Sequence, residues 1–260
     1  MSKIKKFVKW LFIAIICIIL VAFIAFKIYT SMYYRTDNSI VHTVENLLDS
    51  EVNSYSDSNG SVFIPENQDI RAVIVFYPGG KVEYTAYNSL MYELASRGYL
   101  CLLPKMTENL AILEVNASEV LTKNYKSSVD SVIDLDWYLA GHSLGGVAAC
   151  SYLNNILTGK ADSDITYKGI ILCASYPTTD FSDSDIRLLS MYGSNDTVLN
   201  LENYEASKTK WPEDSEEYII EGGIHSYFGS YGIQSGDGQP TITNRQQTIL
   251  AADKIEEWIR

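Results

Sequence analysis

Gly141-His142-Ser143-Leu144-Gly145 lies between an apolar run at 137–140 and the small residues Gly146 to Ala149, so a serine stands where a strand turns sharply into a helix. Glycines without a Cβ let the chain fold back there and hold the hydroxyl out on a strained turn. Nucleophilic attack on a carbonyl is the chemistry such a serine suits. It needs a base to take the proton and donors aimed at the developing oxyanion. The chain holds three histidines: His42, His142 and His225. His42 precedes the domain, and strand alternation turns the neighbouring His142 to the opposite face. His225, in Gly-Gly-Ile-His, is therefore the expected base. A carboxylate must fix its tautomer and stabilise its charged form. Asp196, which follows a strand between the serine and the histidine, is the expected acid, with Asp180, Asp183 and Asp185 as alternatives one strand earlier. One oxyanion donor is expected in the amide of Leu144. The second is expected from Gly80 or Lys81, in a Pro-Gly-Gly-Lys run that also suits an ordinary turn.

These residues need a frame, and the pattern around them supplies one. Near-continuous apolar runs at 71–77, 99–104, 137–142, 167–173, 186–193 and 216–220 predict strands buried on both faces. Helical stretches at 87–98, 144–157 and 244–259 alternate with them, which predicts a parallel sheet in a three-layer α/β domain. Ligands of such sheets bind beyond the carboxyl ends of the strands. Ser143 and the segments 78–81, 194–196 and 222–225 all fall just past strand ends. Upstream, Asn59-Gly60 between two strand-like runs predicts a hairpin, and apolar spacing over 40–52 predicts an amphipathic helix.

The N-terminus is of another kind. Seventeen consecutive apolar residues run from Trp10 to Phe26, long enough to cross a bilayer, with Lys3, Lys5, Lys6 and Lys9 before them. The expected layout is a cytoplasmic tail at 1–6, an uncleaved anchor at 7–28, a linker with an amphipathic helix at 29–58, and a domain at 59–260 outside the cytoplasm. The alternative is a cleaved signal, although no Ala-x-Ala site follows the run. Net charge is −12, and residues 29–260 hold 15 basic against 32 acidic side chains. That balance excludes a nucleic-acid partner, since phosphate backbones are met by Lys and Arg. Cys17 lies in the apolar run, and Cys101, Cys150 and Cys173 lie in strand or helix runs, which predicts buried thiols rather than a disulfide framework. With no Cys-x-x-Cys and so few histidines, a zinc site has little support.

The stretches FYPGGKVEYTAY, LLPKMTENLA, GHSLGG, YGSND and GGIHSYFGSYGIQSGDG resemble a bacterial group of α/β-hydrolase-fold proteins related to the dienelactone-hydrolase-like set, often carrying one N-terminal anchor. The likeness covers roughly residues 60–260. It implies an α/β-hydrolase fold with helices on both faces of the sheet, in which Ser143, Asp196 and His225 carry over as nucleophile, acid and base in the family's chain order. Ala140 stands where such proteins often have glycine, and Thr107-Glu108-Asn109 replaces a more usual apolar run. The dozen or so residues expected between the strands at 167–173 and 186–193 leave no room for a large lid, so Tyr227, Phe228 and Tyr231 are expected along the pocket. The expected activity is hydrolysis of a small-molecule carboxylic ester through an acyl-enzyme, with no cofactor or metal. Acyl transfer to another acceptor, thioester or amide cleavage, and a non-catalytic binding module are the alternatives.

Overall fold

The computed structural model describes residues 2–128, 132 and 134–260, so Met1 of the expected tail lies outside it. The chain forms two compact units that meet in sequence between Tyr33 and Tyr34. The first contains helix α1 (Ser2–Ser31), in which Lys5–Ser31 is long and apolar enough to cross a membrane. No other described helix meets that test.

The second unit, Tyr34–Arg260, begins with α2 (Asn38–Leu48) and the strands β1 (Val52–Ser56), β2 (Gly60–Pro65) and β3 (Ala72–Tyr77). There follow α3 (Asn88–Ser96), β4 (Tyr99–Pro104), α4 (Ser118–Ser128), β5 (Asp136–His142), α5 (Leu144–Leu157), β6 (Tyr167–Cys173) and β7 (Arg187–Gly193). The chain closes with α6 (Leu201–Ser207), β8 (Ser215–Ile220) and α7 (Asn244–Ile259). One eight-stranded sheet has the order β1-β2-β4-β3-β5-β6-β7-β8. It is parallel from β4 onward, while β2 pairs antiparallel with both β1 and β4.

Alternation along β3 builds two cores. Ile74 and Phe76 pack into a cluster with Leu90 and Met91 of α3 and Ala251 and Ile255 of α7. Val73, Val75 and Tyr77 pack into another with Leu121 of α4 and Ala148 and Leu153 of α5. Every residue of β3 and of β4 is buried, as a covered parallel strand requires. The three-layer frame is thus as expected.

The domain begins earlier than residue 59. Val44 of α2 sits in the first core cluster, and Val52 of β1 pairs with Pro65 across the hairpin. Residues 34–58, expected as a linker, therefore lie in the same compact unit as the rest of the sheet. At the hairpin tip, Asp57 accepts the Asn59 and Gly60 amides and donates its own to the Gly60 carbonyl. Only residues 174–186 connect β6 to β7, and no lid domain is present there. The carboxyl ends of β3, β5, β7 and β8 bring the four expected segments to one edge of the sheet.

Candidate active site

Ser143 leaves β5 at φ 52°, ψ −123°, a backbone conformation that L-residues rarely adopt. Its neighbours hold it there. The Ser143 amide donates to the Cys173 carbonyl at 3.0 Å, and the Ser175 hydroxyl donates to the Ser143 carbonyl at 2.8 Å. A Cβ on Gly145 would overlap the carbonyl oxygens of Tyr77 and Pro78, so only glycine lets α5 start this close to β3. Ser143 stays half-buried at the sheet edge.

Past β8, the His225 Nδ1–H donates to Asp196 Oδ2 at 2.8 Å. Both side chains are almost wholly buried, at 3% and 0% exposure. The other Asp196 oxygen accepts the Val198 and Leu199 amides, each at 2.8 Å. Proton donation through Nδ1 leaves the Nε2 lone pair as the basic site. Of the alternative acids, Asp180 is exposed and accepts the Ser182 amide and hydroxyl, while Asp183 and Asp185 border an open surface hollow with Asp214. None of the three bonds to His225. Among the described residues, no hydrogen bond joins His225 Nε2 to Ser143.

The expected oxyanion donors divide. Leu144 is the first residue of α5, so its amide has no acceptor within the helix. Gly80 packs against it, and a Cβ there would come 2.8 Å from Leu144 Cδ2. Lys81 is corrected. Its amide donates to the Asn109 carbonyl at 2.7 Å, so it is not free to meet an oxyanion, and the Gly79 amide donates to the Tyr87 hydroxyl. Among the described residues, no hydrogen bond occupies the Gly80 amide on that loop.

A family model described as "Alpha/beta hydrolase family" matches residues 73–249, most of the chain. The chain belongs to the alpha/beta hydrolase family. No curated protein matches its sequence.

In this alpha/beta hydrolase the expected place of His142 is also corrected. Its ring lies beside that of His225, with centroids 4.6 Å apart, instead of pointing away. Nε2–H donates to the His225 carbonyl at 3.0 Å, and Nδ1 accepts the Tyr87 hydroxyl at 2.8 Å. A carbonyl can only accept, which fixes this tautomer. Burial first, then the neighbouring His225, holds the His142 pKa well below its ordinary value, so the ring is neutral. A chain of contacts thus runs from the Gly79 amide through Tyr87 and His142 to the backbone of His225.

Two further residues of the hydrolase position His225. Gln247 of α7, fully buried, accepts the Ile224 amide and donates to the Ile224 carbonyl. Asp237 accepts the His225 amide at 3.2 Å and both the amide and hydroxyl of Ser226 at 2.8 Å. The Gly-Asp-Gly loop around it also takes Thr197 onto the Gly236 carbonyl, which ties the acid loop to the histidine turn. Asp237 stood in one of the stretches that carry the family resemblance in the sequence, GGIHSYFGSYGIQSGDG. Nothing in the helical pattern of α7 marked Gln247. Of the aromatic residues expected along a pocket, Phe228 and Tyr231 are buried in the core instead, while Tyr227 is half-buried.

Proposed function

We propose that this protein is a membrane-anchored serine hydrolase that cleaves carboxylic esters through an acyl-enzyme. The Asp196–His225 pair at 2.8 Å, on the sheet edge where Ser143 is held at positive φ, is the observation that carries the reading. The Ser143 Oγ attacks the ester carbonyl carbon while His225 Nε2 takes its proton, and the oxyanion forms against the amides of Leu144 and Gly80. His225 then returns the proton to the departing alcohol. Water attacks the acyl-enzyme with the same base, releasing the acid and restoring the serine. A serine–histidine contact that is open in the free enzyme commonly tightens when substrate binds. The likeness to the dienelactone-hydrolase-like group supports an ester as the cleaved bond. The lysines before the apolar run of α1 support an N-terminus in the cytoplasm and a catalytic domain outside it.

A fluorophosphonate probe is expected to label the full chain at Ser143 and to leave Ser143→Ala unlabelled. Equal labelling of both would remove Ser143 from the nucleophile's role.

A further inference from the structure

Tyr87 and His142 fill the space between two loops that the proposed reaction must hold in register. Tyr87, immediately before α3, accepts the Gly79 amide at 3.0 Å and donates its hydroxyl proton to His142 Nδ1 at 2.8 Å. His142 in turn donates Nε2–H to the His225 carbonyl at 3.0 Å. Each donor in this row has its acceptor, and turning any one bond round would set two donors or two acceptors face to face. The row therefore has a single direction.

Its members are shut away from water, Tyr87 at 0% and His142 at 1% exposure. A Cβ on Gly79 would come 2.7 Å from both the Tyr87 hydroxyl oxygen and His142 Nδ1, so the loop rests directly on the pair. One residue further on is Gly80, whose amide is the candidate oxyanion donor. From the other side, the Phe228 ring lies 5.8 Å from that of His142, and the Ser230 amide donates to the Ala86 carbonyl at 2.7 Å. The turn that carries His225 is thus clamped on the segment that carries Tyr87. Burying a hydroxyl and an imidazole costs free energy that apolar side chains of the same size would not. Apolar side chains, however, would leave the Gly79 amide and the His225 carbonyl without these partners.

Resting on the hydrolase reading above, we infer that Tyr87 and His142 are positioning residues for the reaction: acting as one unit, they fix the separation between the Gly80 amide and the His225 imidazole. Neither side chain needs to touch the reacting atoms. Their effect falls on the transition state, where oxyanion and proton must be met together, and so on kcat in preference to KM.

The test uses the full chain with nitrophenyl acetate. Tyr87→Phe removes one oxygen and keeps the ring that packs on Phe76 at 5.2 Å. His142→Gln puts a side-chain amide where Nε2 stood and keeps a donor for the His225 carbonyl, whereas His142→Asn keeps an acceptor for Tyr87 and loses that donor. Each variant is expected to lower kcat about tenfold, with KM within about twofold of wild type. Tyr87→Phe combined with His142→Gln should also cost about tenfold, and not a hundredfold, because the bond between the two residues can be broken only once. Thermal melts confirm folding, and if the His142 variants do not fold, the split between kcat and KM in Tyr87→Phe decides alone. If acetate is a poor substrate, the rate of fluorophosphonate labelling is compared in the same way. Unchanged kcat in Tyr87→Phe, a loss carried by KM, or single losses that multiply in the double variant overturns the inference and leaves the hydrolase reading in place. A wild type that neither cleaves the ester nor takes the label overturns both.

Discussion

At the scale of single residues, Asp196 and His142 carry the sharpest expectations. Asp196→Asn keeps the hydrogen-bonding shape but presents the wrong partner to His225, so kcat on an activated ester should drop by about 10⁴, as in the best-known protease triad. Asp180→Asn, on an exposed loop, should stay near wild type. Steady-state kinetics with thermal melts on both variants separates catalysis from folding. His142 makes a stability claim. Its folded pKa is held well below 6.5, so below that pH the unfolded chain binds a proton that the folded chain does not, and stability is lost as pH falls. The slope approaches about 1.4 kcal/mol per pH unit. Chemical denaturation at pH 7.5 and 5.5 should show a smaller loss in His142→Gln than in wild type. The placement of His142 was misread in the sequence for a definite reason. It shares a strand face with Tyr138 and Ala140, as alternation requires, but Ser143 has already left the strand at positive φ, so the pleat says nothing about which side the serine takes. The pairing of Asp196 with His225 was readable because order along the chain and strand ends sufficed. The chain from Tyr87 through His142 to His225 needs three-dimensional contact to be seen.

Among the elements, α5 and α7 do the positioning. Gly145→Ala puts a methyl group into the carbonyls of Tyr77 and Pro78, where no flexible side chain can yield. A loss of about 3 kcal/mol or more is expected. Gly159→Ala has open space around it but a φ of +68°, and should cost only about 1 kcal/mol. Urea melts of the two variants rank the effects, and reversal of that order would show that α5 does not start where described. Gln247→Leu strands the amide and the carbonyl of Ile224. It should lower kcat and cost about 1–3 kcal/mol for each buried group left unpaired. Strands with unbroken apolar runs were plain in the sequence. Helix α4 was not, because its apolar face comes down to Leu121 and Tyr125 among polar residues, and α6 is too short to show a period.

For the whole molecule, residues 34–37, where the Tyr34 amide donates to the Lys81 carbonyl, the Thr36 amide to the Glu83 carboxylate and the Asp37 amide to the Ser230 carbonyl, decide where the chain can be cut. A fragment starting at Met32 keeps the contacts of Tyr34, Thr36 and Asp37, whereas one starting at Asn38 loses all three. The first should cleave nitrophenyl acetate like the full chain, and the second several-fold more slowly through a loosened oxyanion loop. Purifying both and comparing kcat and Tm tests this. The expected boundary at 59 passed over these contacts, since a polar stretch after an apolar run carries no periodic sign that it docks on a distant loop.

The thirteen residues between β6 and β7 have a kinetic consequence. A hydrolase whose pocket is covered by a cap must spend time uncovering it, and its progress curves begin with a lag that shortens as more interface is offered. With only 174–186 at that position, this protein has no cap there to uncover. Product should accumulate linearly from the moment of mixing, with micellar and with dissolved esters alike. Control of the reaction then lies in where the protein is put and what reaches it, and stopped-flow traces from the first second onward would reveal a lag if some other segment does the covering.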